Sequence, residues 1–385
     1  MSSDIDLPLH DRVFERVEDW VDACIAIVKA PRFRRLILAL VVLISTSVLF
    51  WVKIIQPWIA EEKAAWASLN GDLAKPSGLF GTNLRPNFPG MIQLAEMDTK
   101  LLPSHINTAR RLIFIGDIHG CKEELLALME KVRFNPETDH LVAVGDVVNK
   151  GPDTPGVIDY LRTHNASSVR GNHEDTLLLM ANNAMGSHLL SHNGKGTHHV
   201  GTPLDKDPMT KLIRQLRPEQ ISWLRSLPII LKIGPIPNIG DVVVVHGGLV
   251  PGVPLNSQDP VSVMNMRTID LKTHVPSKLH EHKGGIPWFR LWNRYEKLLP
   301  SSPKWKQFLG QKGQKDEKHT LVVYGHDAKK GLQINKWTKG LDSSCVKGGQ
   351  LTALVINSQG KQEIVQIDCV GYTKEGEKKQ KTTDG

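Results

Sequence analysis

The sequence predicts a layered α/β domain preceded by one transmembrane helix. Three short apolar runs, at 112–115, 141–144 and (more weakly) 166–169, lead into glycine and polar residues. Runs of this kind bounded by glycine are typical of buried strands. Helical patterns at 123–132 and 157–161 stand between them, and this alternation favours a layered α/β (α+β) core.

The chain continues in the same style beyond residue 170. Further strands are predicted at 241–245 and 320–324, and a last one over 348–356. A helix is predicted from residue 175 to 182, and one continuous helix from 212 to 227, on their apolar spacing.

An apolar run near the N-terminus predicts a membrane anchor. It covers 17 residues, 36–52, and reaches 24 when extended to residue 59. About 20 apolar residues span a bilayer core. Four cations precede the run: Lys29, Arg32, Arg34 and Arg35. By the positive-inside rule we expect a type II signal anchor, with residues 1–35 cytosolic and the rest lumenal. A buried core helix and a cleaved signal peptide are the disfavoured alternatives.

The remaining segments divide by composition. Residues 60–109, rich in Gly, Pro and Asn, are predicted to form a stem, residues 110–370 the globular domain, and residues 371–385 a disordered tail. The sequon Asn165-Ala166-Ser167 could be glycosylated in a lumen. Wide, unpatterned spacing of the four cysteines argues against a disulfide framework and against a Cys-type zinc site.

The basic charge of the chain is local. The formal net charge is +8, and residues 261–340 alone hold 16 Lys and Arg against 6 Asp and Glu. Such an excess predicts an anionic partner, although a solvated lysine-rich surface would look the same. Lys329, Lys330, Lys336 and Lys339 in this region are predicted substrate contacts. No specific nucleic-acid partner is predicted, and the oligomeric state stays undetermined.

Polar side chains at the predicted strand ends suggest a two-metal centre. Six N or O ligands stand in these positions: Asp117, His119, Asp146, Asn172, His246 and His326. Two cations about 3.5–4 Å apart would lower the pKa of a bridging water and supply hydroxide near neutral pH. His173 is the candidate general acid, and Arg170 with Lys150 would bind the phosphate. Each residue alone is better explained by a structural role; the ordered set points to phosphoester chemistry.

The order of five phrases (GDIHG, GDVVNKGPD, RGNHED, HGGL, YGH) resembles the PPP branch of the calcineurin-like metallophosphoesterases over about residues 110–370. The resemblance implies a central β-sandwich flanked by helices. It also implies that the first metal is bound by Asp117, His119 and Asp146, and that His173 is the acid. The second metal would share Asp146 and add three ligands: Asn172, His246 and His326.

Two departures from that pattern refine the expected substrate. Asn149 and Lys150 stand where eukaryotic protein serine/threonine phosphatases carry Asp and Arg, and Lys is a point charge rather than a bidentate fork. The ending GLDSSCVKGGQLTAL is more similar to bacterial and diadenosine-tetraphosphatase-like members. With the anchor added, the chain resembles the fungal vacuolar endopolyphosphatases. That resemblance implies internal cleavage of inorganic polyphosphate with zinc, or with cobalt, manganese or magnesium.

Three hypotheses about function follow. The first is endopolyphosphatase activity, favoured by the basic region and the predicted topology. The second is hydrolysis of phosphoproteins or dinucleoside polyphosphates, which the same metal chemistry would permit. The third, of a different class, is an anchored polyanion-binding protein with an inactive site, disfavoured because competent residues fill every ligand position.

Overall fold

The computed structural model describes residues 20–21, 25, 30–71, 90–104, 108–191, 207–298 and 319–373. Most of the predicted cytosolic segment and the tail from residue 374 lie outside these ranges, so those predictions are not addressed by the structure. The helices, in chain order, are Pro31–Phe50 (α1), Gln56–Gly71 (α2), Lys122–Lys131 (α3), Thr154–Thr163 (α4), Asn172–Ser191 (α5), Pro208–Gln215 (α6), Pro218–Arg225 (α7), Pro260–Asn265 (α8) and Trp288–Leu298 (α9).

Within the described residues, the strands form sheets of six, five and three members. In chain order they are Leu94–Glu96 (β1), Arg111–Ile115 (β2), Asp139–Ala143 (β3), Ser167–Ser168 (β4), Ile230–Ile236 (β5), Gly240–Val245 (β6), Thr268–Asp270 (β7), Pro276–Ser277 (β8), Gly285–Pro287 (β9), Thr320–Tyr324 (β10), Gln333–Ile334 (β11), Thr338–Gly340 (β12), Gln350–Asn357 (β13) and Gln362–Asp368 (β14). The orders are β1-β5-β6-β10-β12-β11, β14-β13-β2-β3-β4 and β8-β7-β9.

The two larger sheets pack face to face as a β-sandwich. Alternate residues of β2 and β13, such as Phe114 and Leu354, share one buried cluster with Val244 of β6 and Val323 of β10. On the opposite face of the five-stranded sheet, helices α3 to α7 cover a second cluster that includes Ile113. Helix α9 covers the outer face of β10, where its Trp288 ring lies 4.8 Å from that of Tyr324. The predicted sandwich flanked by helices is confirmed.

Two predicted boundaries need correction. The predicted continuous helix over 212–227 is two short helices, α6 and α7, because Pro218 cannot continue a helix that comes before it. Strand β1 pairs in parallel with β5, although the sequence assigned residues 60–109 to a stem. A three-residue edge strand carries too short an apolar pattern to be recognised, so the domain begins before residue 110.

One helix among the described residues is long and apolar enough to cross a membrane, spanning Pro31–Ala67. None of α1 is buried, so the alternative of a buried core helix finds no support. A π-helical segment, Trp51–Ile55, joins α1 to α2. It ends two residues before Pro57, which lacks the N–H that a regular α-turn would use.

Candidate metal centre

The site lies where the carboxyl ends of strands from both large sheets meet. Strands β2, β3 and β4 are parallel neighbours in one sheet, as are β6, β10 and β12 in the other. All six predicted metal ligands lie within four residues of the ends of these strands. The sheets are joined at this edge: the backbone N–H of His326, after β10, donates to the carboxylate of Asp117, after β2.

Asp146 occupies the centre of this cluster. Its Oδ1 lies 3.2 Å from His246 Nε2, and its Oδ2 lies 3.6 Å from His119 Nε2. Asn172 Oδ1 lies 3.0 Å from the same His246 nitrogen. Asp146, His246 and His326 have ligand atoms within 4.8 Å of one another, and so do His119, Asp146 and His173. One carboxylate therefore faces both groups, the arrangement that a shared ligand of two cations requires.

Backbone carbonyls orient the three histidines. His119 Nδ1 lies 3.0 Å from the Val148 carbonyl, and His246 Nδ1 lies 2.9 Å from the Val144 carbonyl. Since a carbonyl can only accept, each Nδ1 carries a proton, and Nε2 is the nitrogen that faces the cluster and would bind a cation. His326 is turned the other way: its Nε2 donates to a backbone carbonyl at 3.0 Å, which leaves Nδ1 for a cation. Such carbonyl contacts are common behind metal-binding imidazoles.

The backbone at the site is held in uncommon conformations. His119, Asp146 and His326 have φ angles of 49°, 50° and 71°, in the left-handed region that non-glycine residues seldom adopt. Strain of this kind concentrates at functional sites. Two glycines allow close approach: a Cβ at Gly171 would collide with the Asp146 carboxylate, and one at Gly325 with that of Asp117.

Glu174 supports the centre from beneath, a role that the sequence did not reveal. It is fully buried, and its carboxylate accepts backbone N–H bonds from Asp146 and Gly171 at 2.8 Å and from Val148 at 3.0 Å. It thereby ties the loop after β3 to the loop after β4. Its place inside the RGNHED phrase indicated a role at the site. The sequence cannot show, however, whether such a carboxylate binds a metal or faces away from the cavity.

Burial governs the charges of the cluster. Burial and the neighbouring Asp342 raise the pKa of Asp117 well above its usual value. Burial lowers the pKa of His119 to about 3, so this imidazole is neutral and able to bind a cation. Burial also disfavours the charged forms of Asp146 and His246, but the attraction and hydrogen bond between the two side chains outweigh this effect. The pKa of His246 therefore rises to about 10, and that of Asp146 falls well below its usual range. Buried carboxylates are costly to keep charged without a positive partner, and bound divalent cations would supply that charge here.

The predicted acid, His173, lies on the cavity side of this cluster. Its Nε2 is 3.9 Å from Asp146 Oδ2, and its Nδ1 is 3.1 Å from the Asn149 side-chain amide nitrogen. The Asn149 amide is oriented by its oxygen, which accepts the N–H of Lys150 at 2.7 Å. The amide NH₂ group therefore donates to His173 Nδ1, which places the proton of the neutral ring on Nε2. The geometry also permits His173 as a metal ligand.

The two predicted phosphate-binding cations differ in position. Lys150 lines the cavity, and its Nζ lies 2.8 Å from His119 Nε2. Arg170 does not line it. Its buried guanidinium donates to the Arg225 carbonyl at 2.9 Å and lies 3.6 Å from Asp175 Oδ1. In this structure Arg170 joins α5 to α7 rather than facing the cavity.

A cavity of about 220 Å³ opens above the cluster. Of the four predicted substrate lysines, Lys329 lines it, whereas the other three do not. Lys336 stacks over a tryptophan ring at 4.4 Å, and Lys339 is buried with its ammonium donating to a carbonyl. The sequence missed four lining residues with ionisable side chains: Arg267, His280, Asp342 and Lys347.

The structure contains a disulfide between Cys345 and Cys369. The expectation of no disulfide framework is therefore wrong for this pair. The two cysteines are 24 residues apart, and the hairpin of β13 and β14 brings them together. Sequence spacing alone could not show that the residues before and after this hairpin lie side by side.

The donor set fits two divalent cations. Imidazole nitrogens and carboxylate or amide oxygens converge, with Asp146 between the groups, and their second-sphere contacts are satisfied by backbone groups. This N/O chemistry suits zinc, cobalt or manganese as well as magnesium.

Comparisons with known proteins agree with this geometry. The chain is 28% identical over 286 residues to the zinc-dependent endopolyphosphatase of Saccharomyces cerevisiae, covering 68% of this chain and 81% of the yeast protein. It is 25% identical over 284 residues to a symmetrical bis(5'-nucleosyl)-tetraphosphatase of Nitrosospira multiformis, covering 66% and 94%. A crystal structure assigned as a diadenosine tetraphosphatase matches with a TM-score of 0.52 and 29% identity, over 72% of this chain and 97% of that one.

The family match extends over most of the catalytic domain. The sequence model of the calcineurin-like phosphoesterases matches residues 110–330, which is more than half of the chain and contains every predicted metal ligand. This chain therefore belongs to the calcineurin-like phosphoesterase family and is a metal-dependent phosphoesterase.

Proposed function

We propose that this protein is a membrane-anchored endopolyphosphatase that cuts inorganic polyphosphate internally. The observation that carries the proposal is the ring of cations around the cavity. Lys150, Arg267, Lys329 and Lys347 all line it, beside the buried histidine and aspartate cluster. A linear polyanion gains from cations placed beyond the bond that is cut. Similarity to the yeast zinc-dependent endopolyphosphatase supports the same substrate.

Six residues would hold two divalent cations, with zinc the first choice by similarity to the yeast protein. They are Asp117, His119, Asp146, Asn172, His246 and His326. When bound, such cations neutralise phosphoryl oxygens and lower the pKa of water near them. The chain contributes preorganisation: Glu174 and the backbone carbonyls fix the ligands before substrate arrives.

His173 acts on the leaving group. Its Nε2 faces the cavity beside Asp146, and hydrolysis of a phosphoanhydride requires a proton for the departing phosphate oxygen. Asn149 orients the ring so that Nε2 faces Asp146 and the cavity, and the imidazolium form donates its Nε2 proton to the departing oxygen. Lys150 contacts phosphate. Its ammonium lies 2.8 Å from His119 Nε2 in this structure, so a metal ion bound to that nitrogen would displace Lys150 toward the cavity.

Hydrolysis of dinucleoside tetraphosphates is the second candidate, since seven curated bacterial relatives and one solved structure carry that assignment. A nucleotide substrate usually gains from aromatic side chains on which its bases stack. Among the described residues, the cavity lining contains no Phe, Tyr or Trp. The lining therefore favours a substrate made of phosphate alone.

The location of the domain is a further part of the proposal. Residues 36–59 would anchor the protein, residues 1–35 would be cytosolic, and the catalytic domain would be lumenal, in the vacuole by the family resemblance. The Cys345–Cys369 disulfide supports an oxidising compartment, and the sequon residue Asn165 is exposed. Protease added to intact vesicles should leave the domain uncut; its digestion would contradict this topology.

One experiment tests the activity. The purified protein is incubated with long-chain polyphosphate, a phosphopeptide or diadenosine tetraphosphate, each with zinc, cobalt, manganese or magnesium. Gel analysis of polyphosphate should show fragments of intermediate length. Steady release of single phosphates would indicate cutting from the ends, and preferential turnover of either other substrate would contradict the proposal.

A further inference from the structure

A short turn at the cavity rim carries one of the cations that the sequence did not predict. We call residues 344–347 the rim turn; it contains the 3₁₀ turn Cys345–Lys347. Its residues Ser344, Cys345, Val346 and Lys347 all line the cavity. The turn follows Asp342, which lies beside the metal-ligand cluster, so Lys347 stands at the edge of the same site.

The rim turn is held from outside by the segment that follows β14. The disulfide joins Cys345 to Cys369, and the backbone N–H of Tyr372 donates to the Val346 carbonyl at 2.8 Å. These links matter because the turn is bounded by Ser344 and Gly348 with left-handed φ angles of 64° and 76°. Inside the turn, the N–H groups of Lys347 and Gly348 donate to the carbonyls of Ser344 and Cys345, both at 2.9 Å. The external links hold this turn as a unit against the neighbouring segment.

The rim turn is also joined to the loop that carries the other rim lysine. Ser344 Oγ donates to the Ala328 carbonyl at 3.0 Å, and its N–H donates to Asp342 Oδ1 at the same distance. Ala328 directly precedes Lys329, which lines the cavity as well. The two loops that carry Lys329 and Lys347 are therefore joined to each other at the edge of the cavity.

We propose that Lys347 is a specificity-determining residue that binds phosphate groups beyond the scissile bond, and that the Cys345–Cys369 disulfide positions it. The inference rests on the proposed endopolyphosphatase function. A small ester occupies the metal centre alone, whereas a polyphosphate chain must also pass the rim. Removing a charge-assisted hydrogen bond at the rim should therefore raise KM for the long chain by about tenfold and affect the small ester much less.

The first test replaces the lysine. In the full-length protein, Lys347→Gln should raise KM for long-chain polyphosphate about tenfold relative to a small chromogenic phosphate ester. Lys347→Arg should restore most of the affinity because the charge returns. Lys361→Gln is the matched control: Lys361 is exposed on the turn between β13 and β14 and does not line the cavity. Equal changes on both substrates, or no rescue by Arg, would overturn the proposal.

The second test removes the disulfide. Cys369→Ala alters a residue outside the cavity lining, so any effect on substrate preference must pass through the rim turn. Cys369→Ala, Cys345→Ala and the double variant should all raise KM for polyphosphate to the same extent, with zinc content unchanged. If Cys369→Ala keeps the wild-type preference between polyphosphate and the small ester, the positioning role is refuted. A larger rise in KM in the double variant than in either single variant would also refute it.

Reduction of the folded wild-type protein covers the case in which the cysteine variants do not fold. A phosphine converts the disulfide and one water into two thiols and the phosphine oxide, with two electrons passing from phosphorus to sulfur. The KM for polyphosphate should rise without loss of zinc. If thiol titration confirms that the disulfide is reduced and the KM is unchanged, the inference is refuted. Wild-type protein that fails to cut polyphosphate would overturn the proposed function itself, which distinguishes the two failures.

Discussion

Replacing Asn149 by Asp should move the pH dependence of catalysis upward. The Asn149 amide donates to His173 Nδ1 at 3.1 Å, and its oxygen accepts the Lys150 N–H at 2.7 Å. Asp keeps that acceptor and places a carboxylate oxygen against the ring nitrogen. The backbone at residue 149 has a φ of 72°, a left-handed conformation that Asp tolerates as Asn does. The substitution should therefore leave the loop in place.

The size of the effect follows from this contact. Burial lowers the pKa of His173, Asp146 opposes it, and Lys150 lowers it further. Because a general acid must hold its proton, activity should fall as pH rises through this pKa. Hydrogen bonds to charged groups contribute about 1.5–3 kcal/mol and neutral ones about 1 kcal/mol. The carboxylate should thus favour imidazolium by about 1–2 kcal/mol, which moves the alkaline limb of the kcat profile upward by about one pH unit.

The assay is kcat against pH on a small chromogenic phosphate ester, with metal content measured on each preparation. His173→Ala supplies the control background, because Asn149→Asp should have no effect on the profile once the ring is absent. An unchanged limb in the single variant would refute the proposed acid role, and so would an equal movement without His173. Loss of metal in His173→Ala would instead identify this histidine as a ligand.

Three further predictions address the metal centre, the rim and stability. Asp146→Asn and His246→Ala should each abolish hydrolysis and lower bound zinc, because these side chains meet at 3.2 Å in the centre; retained turnover in metal-replete buffer would contradict the assignment. Lys329→Glu should raise KM for long polyphosphate more than for a small ester, with Lys336→Glu, outside the cavity lining, as the matched control; equal effects of the two reversals would make Lys329 ordinary surface. Burial raises the pKa of Glu296 to about 8, above its usual value of 4.5. The contribution of its protonated form to the free energy of unfolding is therefore complete below pH 4.5 and is lost as pH rises through about 8. Glu296→Gln should flatten that decline in urea midpoints, and a parallel decline would refute the linkage.

Local patterns were sufficient for the main strands and for the polar residues that follow them. The run before Asp146 and the run before Gly325 are buried strands, as their β-branched composition indicated. Each places its chemistry at a strand end because strand and ligand are neighbours in the chain. Information of this kind is local, and no distant contact is needed to read it.

Contacts between segments that are distant in the chain could not be predicted from the sequence. Strand β1 is recognisable by its partner β5, more than a hundred residues later, and the disulfide of Cys345 depends on a hairpin returning Cys369 to it. Arg170 illustrates the opposite error. It stands beside a site residue in the chain, yet its guanidinium turns to Asp175 and the α7 carbonyl.

The sequence by itself determined the family chemistry: which ligand types occur, in which order, and at which strand ends. The tertiary structure decided how they converge, because two sheets had to pack before Asp146 could face His119 on one side and His246 on the other. It also decided which cations surround the cavity. The sequence shows which positions carry a lysine and hence a positive charge. Where each side chain lies depends on the packing of loops that are far apart in sequence. For that reason Lys329 and Lys347 line the site, whereas Lys336 and Lys339 do not.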